Sequence, residues 1–164
     1  FEFPNVSITK LADADANRTG GESDFTQFAP ATILVADDVG LNRALLTGYF
    51  EGTGHKVLLA TNGLEALDQA EQHRPDVILM DMVMPEMDGI EATAHIRQHM
   101  QPPMQQVPVI LLTANVNAQD HLRGLHAGIN ALMVKPFDRS KLCALIEEQL
   151  LMSATFLQRL AQER

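Results

Sequence analysis

The sequence predicts an α/β fold, a doubly wound five-stranded parallel sheet with helices on both faces. Three observations carry that expectation. Residues 32–36, 56–60, 76–80, 107–112 and 129–134 are short, nearly continuous apolar runs, as in strands covered on both sides. Five stretches with helical spacing alternate with them, which implies right-handed crossovers into a parallel sheet. The chain has 164 residues, 46% of them apolar, enough for the core of one ordinary domain plus some extra chain.

Each element has its own signal. Thr32 to Ala36 reads TILVA and is rich in branched residues. Leu45, Leu46, Tyr49 and Phe50 then make a helical stripe, stopped by Gly52 and Gly54. Lys56 to Ala60 is the second strand. Asn62 and Glu65 stand as a capping-box pair before a helix with Leu64, Leu67 and Ala70 inward. Asp76 to Met80 is the third strand, and Asp88 with Glu91 opens a helix through about His99. Val107 to Leu112 is the fourth strand, followed by a helix that Asn117 caps and that ends near Gly128. Ile129 to Val134 is the fifth, and Asp138 caps a last helix with Leu142, Leu145 and Ile146 inside.

Residues 1–30 differ. Phe1 to Ile8 alternates like a short strand, and residues 12–24 have linker composition, with small polar residues and a Gly pair. A tether with little role in the fold is expected, although Phe25 and Phe28 could stick to the adjoining domain. Residues 31–150 form that expected domain, and residues 151–164 extend the last helix or trail as a tail.

Composition excludes several functions. Lys+Arg 12 against Asp+Glu 21 gives a net charge of −9, which argues against nucleic-acid binding by phosphate neutralisation. One cysteine rules out a disulfide framework or a Cys-cluster zinc site and fits a reducing, cytoplasmic setting. No apolar run is long enough to span a membrane. The chain starts at Phe1 without a signal segment and is expected to be a piece of something longer.

Ligands of such sheets sit at the carboxyl ends of the strands. Asp37 and Asp38 follow the first strand, Asp81 the third, Thr113 the fourth and Lys135 the fifth. Three carboxylates in one cleft repel, and a hard divalent cation relieves them; oxygen ligands in an incomplete cage suit Mg2+. A carboxylate beside Mg2+ can attack phosphorus to give an aspartyl phosphate, with the ammonium and the hydroxyl holding the other oxygens. No nucleophile elbow, Cys–His pairing or phosphate-binding GKS/T loop is present. Singly, the aspartates read as helix caps or turn residues, the lysine as a surface cation and the threonine as a strand-end hydroxyl. Their joint placement is what argues for a site. His95 and His99 lie one helical turn apart without an H-E-x-x-H acid, so exposed helix histidines are expected; Cys143 reads as a half-buried, inert thiol.

The stretches Ile33-Leu34-Val35-Ala36-Asp37-Asp38, Asn62-Gly63-Leu64-Glu65-Ala66-Leu67, Asp76 through Ala92, Leu112-Thr113-Ala114 and Lys135-Pro136-Phe137 resemble the receiver domain of two-component response regulators over residues 31–150. The resemblance implies a flavodoxin-like strand order, 2-1-3-4-5. It implies Asp81 as phosphoacceptor, Asp38 as a direct Mg2+ ligand and Asp37 mostly through water. The backbone carbonyl of Val83 would complete the metal site, Thr113 and Lys135 would contact the phosphoryl group, and the Lys135-Pro136 bond would be cis. It implies a switch through Thr113 and an aromatic two residues before the lysine, where Met133 stands here. The donor would be a histidine kinase domain or a histidine phosphotransfer protein, with the chain a monomer or weak dimer that catalyses only its own modification. Asn42-Arg43, the Met-rich residues 81–89 and Glu91-Ala92-Thr93 look most like receivers of hybrid sensor histidine kinases, which would make the chain the cytoplasmic part of a membrane-anchored sensor. Phe1-Glu2-Phe3-Pro4 is similar to the last strand of a kinase ATP-binding domain. The rivals are a Mg2+-dependent phosphohydrolase with an aspartyl-phosphate intermediate, disfavoured because Val83 stands where such enzymes need a second acid, and a non-phosphorylated pseudo-receiver, disfavoured by the complete acidic set.

Overall fold

A computed structural model describes residues 25, 26, 28–115, 117–136 and 138–162 of the chain. The strand-like and linker segments expected within residues 1–24 lie outside the described residues. Five strands, β1 (Thr32–Ala36), β2 (Lys56–Ala60), β3 (Val77–Asp81), β4 (Val109–Thr113) and β5 (Ala131–Val134), form one parallel sheet in the order β2-β1-β3-β4-β5. The expected architecture and strand order are therefore observed. The helices are α1 (Gly40–Phe50), α2 (Gly63–His73), α3 (Gly89–His99), α4 (Ala118–Ala127), α5 (Arg139–Met152) and α6 (Ala154–Gln162).

Five helices start where a short polar side chain accepts an otherwise orphaned backbone N–H, α6 among them through the Ser153 hydroxyl, which accepts from Phe156 at 3.3 Å. Asn62, Asp88, Asn117 and Asp138 accept from Glu65, Glu91, Asp120 and Lys141, at 2.8, 2.8, 2.8 and 2.7 Å. Glu65 reaches back to the N–H of Thr61 rather than of Asn62, so its capping box is displaced by one residue. β4 starts two residues later than its apolar run. A 3-10 turn, Met104–Gln106, and Pro108, which has no N–H to give a ladder, precede it.

The sheet separates two cores, sorted by strand parity. Leu34, Ile78, Met80, Val109, Leu111 and Leu132 face α2, α3 and α4. Ile33, Val35, Leu79, Ile110, Leu112 and Met133 face α1, α5 and α6. Leu64, expected inward, is 50% exposed, and Ala66 takes the inner position. Leu45 is also exposed, while Leu46 and Phe50 are buried. Cys143 is fully buried rather than half-buried.

Phe25 is 0% exposed. Its ring packs 4.6 Å from that of Phe50 at 61°, and the Arg139 guanidinium sits 5.1 Å above it. The His55 Nδ1 accepts from the Ala31 N–H at 2.9 Å, which leaves Nε2 to donate to the Phe25 carbonyl at 2.5 Å, and Phe28 stacks on the same imidazole. The segment before β1 is thus part of the second core, for a reason composition hides: two aromatics suffice to anchor it. At the other end, α5 stops at Ser153 and α6 turns back toward the segments that enter β1 and β3. Phe156 is buried, and Arg159 pairs with Asp76 at 3.0 Å and reaches the Pro30 carbonyl at 3.4 Å. Among the described residues no helix is long and apolar enough to cross a membrane.

Candidate functional site

The carboxyl edge of the sheet gathers the acidic residues. Parity explains how: counting in twos from Val35 and Leu79 reaches Asp37, just past β1, and Asp81, the last residue of β3, on the same face. One carboxylate oxygen each from Asp37, Asp38 and Asp81 lies within 4.8 Å of the others. Asp37 and Asp81 are buried and Asp38 is exposed.

Asp37 is held on every side. Its Oδ1 accepts the Val39 N–H at 2.8 Å, and its Oδ2 accepts from Asn42 at 3.1 Å and from the Lys135 ammonium at 3.2 Å. Its main-chain carbonyl accepts from Arg43 Nη1 at 2.7 Å. Asn42 and Arg43 were legible in the sequence only as part of a resemblance. Their role follows from the first turn of α1, whose polar positions fall over the end of β1.

Lys135 also donates to Asp81 Oδ1 at 3.2 Å. Burial and then the Asp37 charge push the Asp81 carboxyl up to about 6, against the pull of Lys135, with Asp38 adding to the rise. Burial opposes the charge on Lys135, but Asp81 and Asp37 outweigh it and hold the ammonium above its usual range. The peptide bond after Lys135 is cis.

The donor set fits a hard divalent cation. It is all oxygen, carries three negative charges against one ammonium, and leaves Asp81 resisting its own ionisation until more positive charge arrives. The carboxylates that could hold such an ion are those of Asp37, Asp38 and Asp81, with the oxygens of Asp37 already engaged by Val39, Asn42 and Lys135. The Val83 side chain is 70% exposed and offers no second acid.

Two glycines let the loop around Val83 close. A Cβ on Gly89 would collide with the Asp81 carbonyl oxygen, and one on Gly63 with the Met87 carbonyl oxygen. Gly63 N–H donates to that Met87 oxygen at 2.9 Å, and Gly89 N–H to the Met82 carbonyl at 3.0 Å. The loop is thereby fixed to α2 and α3.

Thr113 ends β4 and is buried, but its hydroxyl donates to the Asn115 carbonyl at 2.8 Å and accepts the Asn115 N–H at 3.2 Å. The expected pairing of Thr113 with Met133 needs correction. Met133 is registered with Leu112 and lies in the core under α1 and α5. Thr113 is in step with Leu111 and faces the other way, the side of Leu132 and Val134. A two-residue offset from the lysine therefore reaches the wrong face of the sheet. Beside Asp37 and Lys135, a cavity of about 360 Å³ opens between α1 and the segment after β5, lined by Asn42, Leu45, Leu46 and Ala114.

Comparison with known proteins agrees with this geometry. Residues 33–147 match the family described as response regulator receiver domain. The chain is 36% identical over 107 residues to the polar-differentiation response regulator DivK of Brucella anthropi, covering 65% of this chain and 85% of that protein. It is 38% identical over 105 residues to the alkaline phosphatase synthesis transcriptional regulatory protein PhoP of Bacillus subtilis, covering 64% of this chain but only 42% of that protein. The receiver domain of a Pseudomonas aeruginosa sensor histidine kinase, described with a magnesium ion coordinated in the active-site cleft, superposes with a TM-score of 0.68 at 35% identity, over 74% of this chain and 98% of that one. Receiver domains of this kind bind Mg2+ at an acidic site and work with histidine kinases or phosphotransfer proteins. The fold, the acidic strand ends and the match over residues 33–147 together show that the chain belongs to the response regulator receiver family of two-component signalling.

Proposed function

We propose that this domain accepts a phosphoryl group from a phosphohistidine onto Asp81, in the presence of Mg2+. The observation that supports the reading most is the meeting of the Asp37, Asp38 and Asp81 carboxylates with Lys135 bridging two of them. Mg2+ bound there supplies positive charge that offsets the carboxylates and the incoming phosphoryl oxygens. An oxygen of Asp81 forms the new O–P bond as the N–P bond of the donor breaks, and the leaving electron pair stays on the donor imidazole. Lys135 shifts its hydrogen bond from Asp81 to a phosphoryl oxygen. The Thr113 hydroxyl leaves Asn115 to bind another.

The donor is a histidine kinase domain or a histidine phosphotransfer protein. The parent that fits is a hybrid sensor kinase in which residues 31–150 form the receiver, residues 1–30 lead into it, and the unit works as a monomer or weak dimer at the cytoplasmic side. Incubating the chain with a small-molecule phosphodonor, with and without Mg2+, tests the assignment by intact mass. One Mg2+-dependent phosphoryl addition is expected, absent in Asp81→Asn. Equal labelling of that variant overturns it.

A further inference from the structure

A second group of potential ligands lies away from the acidic cluster. His95 and His99 stand one turn apart on α3, with ring centroids 4.6 Å apart and planes tilted by 47°. His99 is exposed. His95 is half-buried, and its Nδ1 is shielded from solvent with no hydrogen-bond partner among the described residues. Both rings line a cavity of about 230 Å³ between the ends of α2 and α3. Glu71 is the one acidic residue of its lining, which also includes Arg74, Met100 and Met104. His99 is ten residues along the helix from Gly89, about 15 Å at the rise of an α-helix, so this cavity is separate from the carboxylates at the other end.

The chemistry differs as well. Neutral imidazole suits Zn2+, Cu2+ and Ni2+, whereas Mg2+ prefers oxygen. A metal bound by two imidazole nitrogens at about 2.0–2.1 Å sets their ring centroids about 5 Å apart. The observed 4.6 Å is within a small ring rotation of that value. The shielded, unpartnered Nδ1 of His95 gains a ligand when the ring turns it toward the cavity.

We propose that His95 and His99 form a two-imidazole site for a borderline transition-metal cation of the Zn2+ class. The Glu71 carboxylate swings in from α2 as a third ligand, and water completes the shell. Such an ion would tie α2 to α3.

The test is a Zn2+ titration of the full chain in saturating Mg2+, which occupies the carboxylate site, followed by the imidazole ring signals in NMR. The His95 and His99 signals should move together and saturate at one equivalent, before those of the exposed His73 and His126. His99→Gln alters an exposed residue, so the fold should persist. It should weaken binding by roughly tenfold or more, and Glu71→Gln by less, on the scale on which supporting partners act at metal sites. Zn2+ should also raise the melting temperature of the chain but not of His99→Gln. Simultaneous movement of all histidine signals, or unchanged affinity in His99→Gln, shows adventitious surface binding and overturns the proposal.

Discussion

The Lys135 ammonium and the Asp81 carboxylate, 54 residues apart in the chain, meet at 3.2 Å, and the same nitrogen lies 3.2 Å from Asp37. One cation thus stands between two buried anions. Lys135→Ala should leave both unbalanced and reduce stability without metal by about 1.5–3 kcal/mol, the range for hydrogen bonds to charged groups. Mg2+ should recover part of the loss. Chemical denaturation with and without Mg2+ reads this directly.

The pH dependence has a definite sign. Asp81 titrates near 6 in the folded chain, above the usual carboxylate value of 3.8. In that window the folded state holds a proton that the unfolded chain has released, so Asp81 makes stability fall as pH rises from about 4 to 6. Comparing denaturation midpoints of the chain with those of Asp81→Asn across this range isolates the contribution. The difference should shrink or reverse in saturating Mg2+.

Asp38 and Asp37 should separate by role. Asp38 is exposed, whereas the oxygens of Asp37 are already taken by Val39, Asn42 and Lys135. Asp37→Ala should weaken Mg2+ by about 10–100-fold, as loss of a supporting partner does, and Asp38→Ala by more. Calorimetric titration ranks the two, and equal affinity in Asp38→Ala and the unaltered chain contradicts the assignment.

Gly89→Ala places a methyl group against the Asp81 carbonyl oxygen. Overpacking of this kind lowers stability by about 1–3 kcal/mol. Because α3 starts there, the loop after Asp81 should shift too, so on the proposed function phosphoryl uptake should slow more than the stability loss alone explains. Labelling rates measured well below the melting temperature separate the two effects.

Phe25→Ala should destabilise the domain by about 3–5 kcal/mol, the scale for a fully buried phenylalanine. It should leave phosphoryl uptake at low temperature unchanged, since the ring packs on Phe50 and under Arg139 rather than near the carboxylates.

Much of this architecture was legible because branched apolar runs and Asn or Asp caps are local signals. Asn62, Asp88, Asn117 and Asp138 each cap the helix that the sequence assigns to them. The misses share a cause: they depend on which way a residue faces. Leu64 lies in an amphipathic stretch but falls on its outer side, where Ala66 and Ala70 fit closer to the sheet. Met133 sits at a plausible offset from Lys135 but has the wrong parity to meet Thr113. That Phe25 and Phe28 could stick to the domain was expected, but what they bind became visible only through His55, distant in sequence. The convergence of Asp37, Asp81 and Lys135 was foreseeable from strand ends alone, whereas the clamp that Asn42 and Arg43 place on Asp37 needed the first turn of α1.

The contact of Arg159 with Asp76 and the Pro30 carbonyl brings the helix after α5 against the segment that enters β1. Asp76 also accepts the Thr32 N–H at 2.7 Å, so one carboxylate fastens both. The order in which the chain visits its elements is then separable from the fold itself. A circular permutant that joins Gln162 to Phe25 through a flexible peptide, and opens instead at the exposed turn around Gly52, is expected to keep the contacts of the sheet and of the acidic edge.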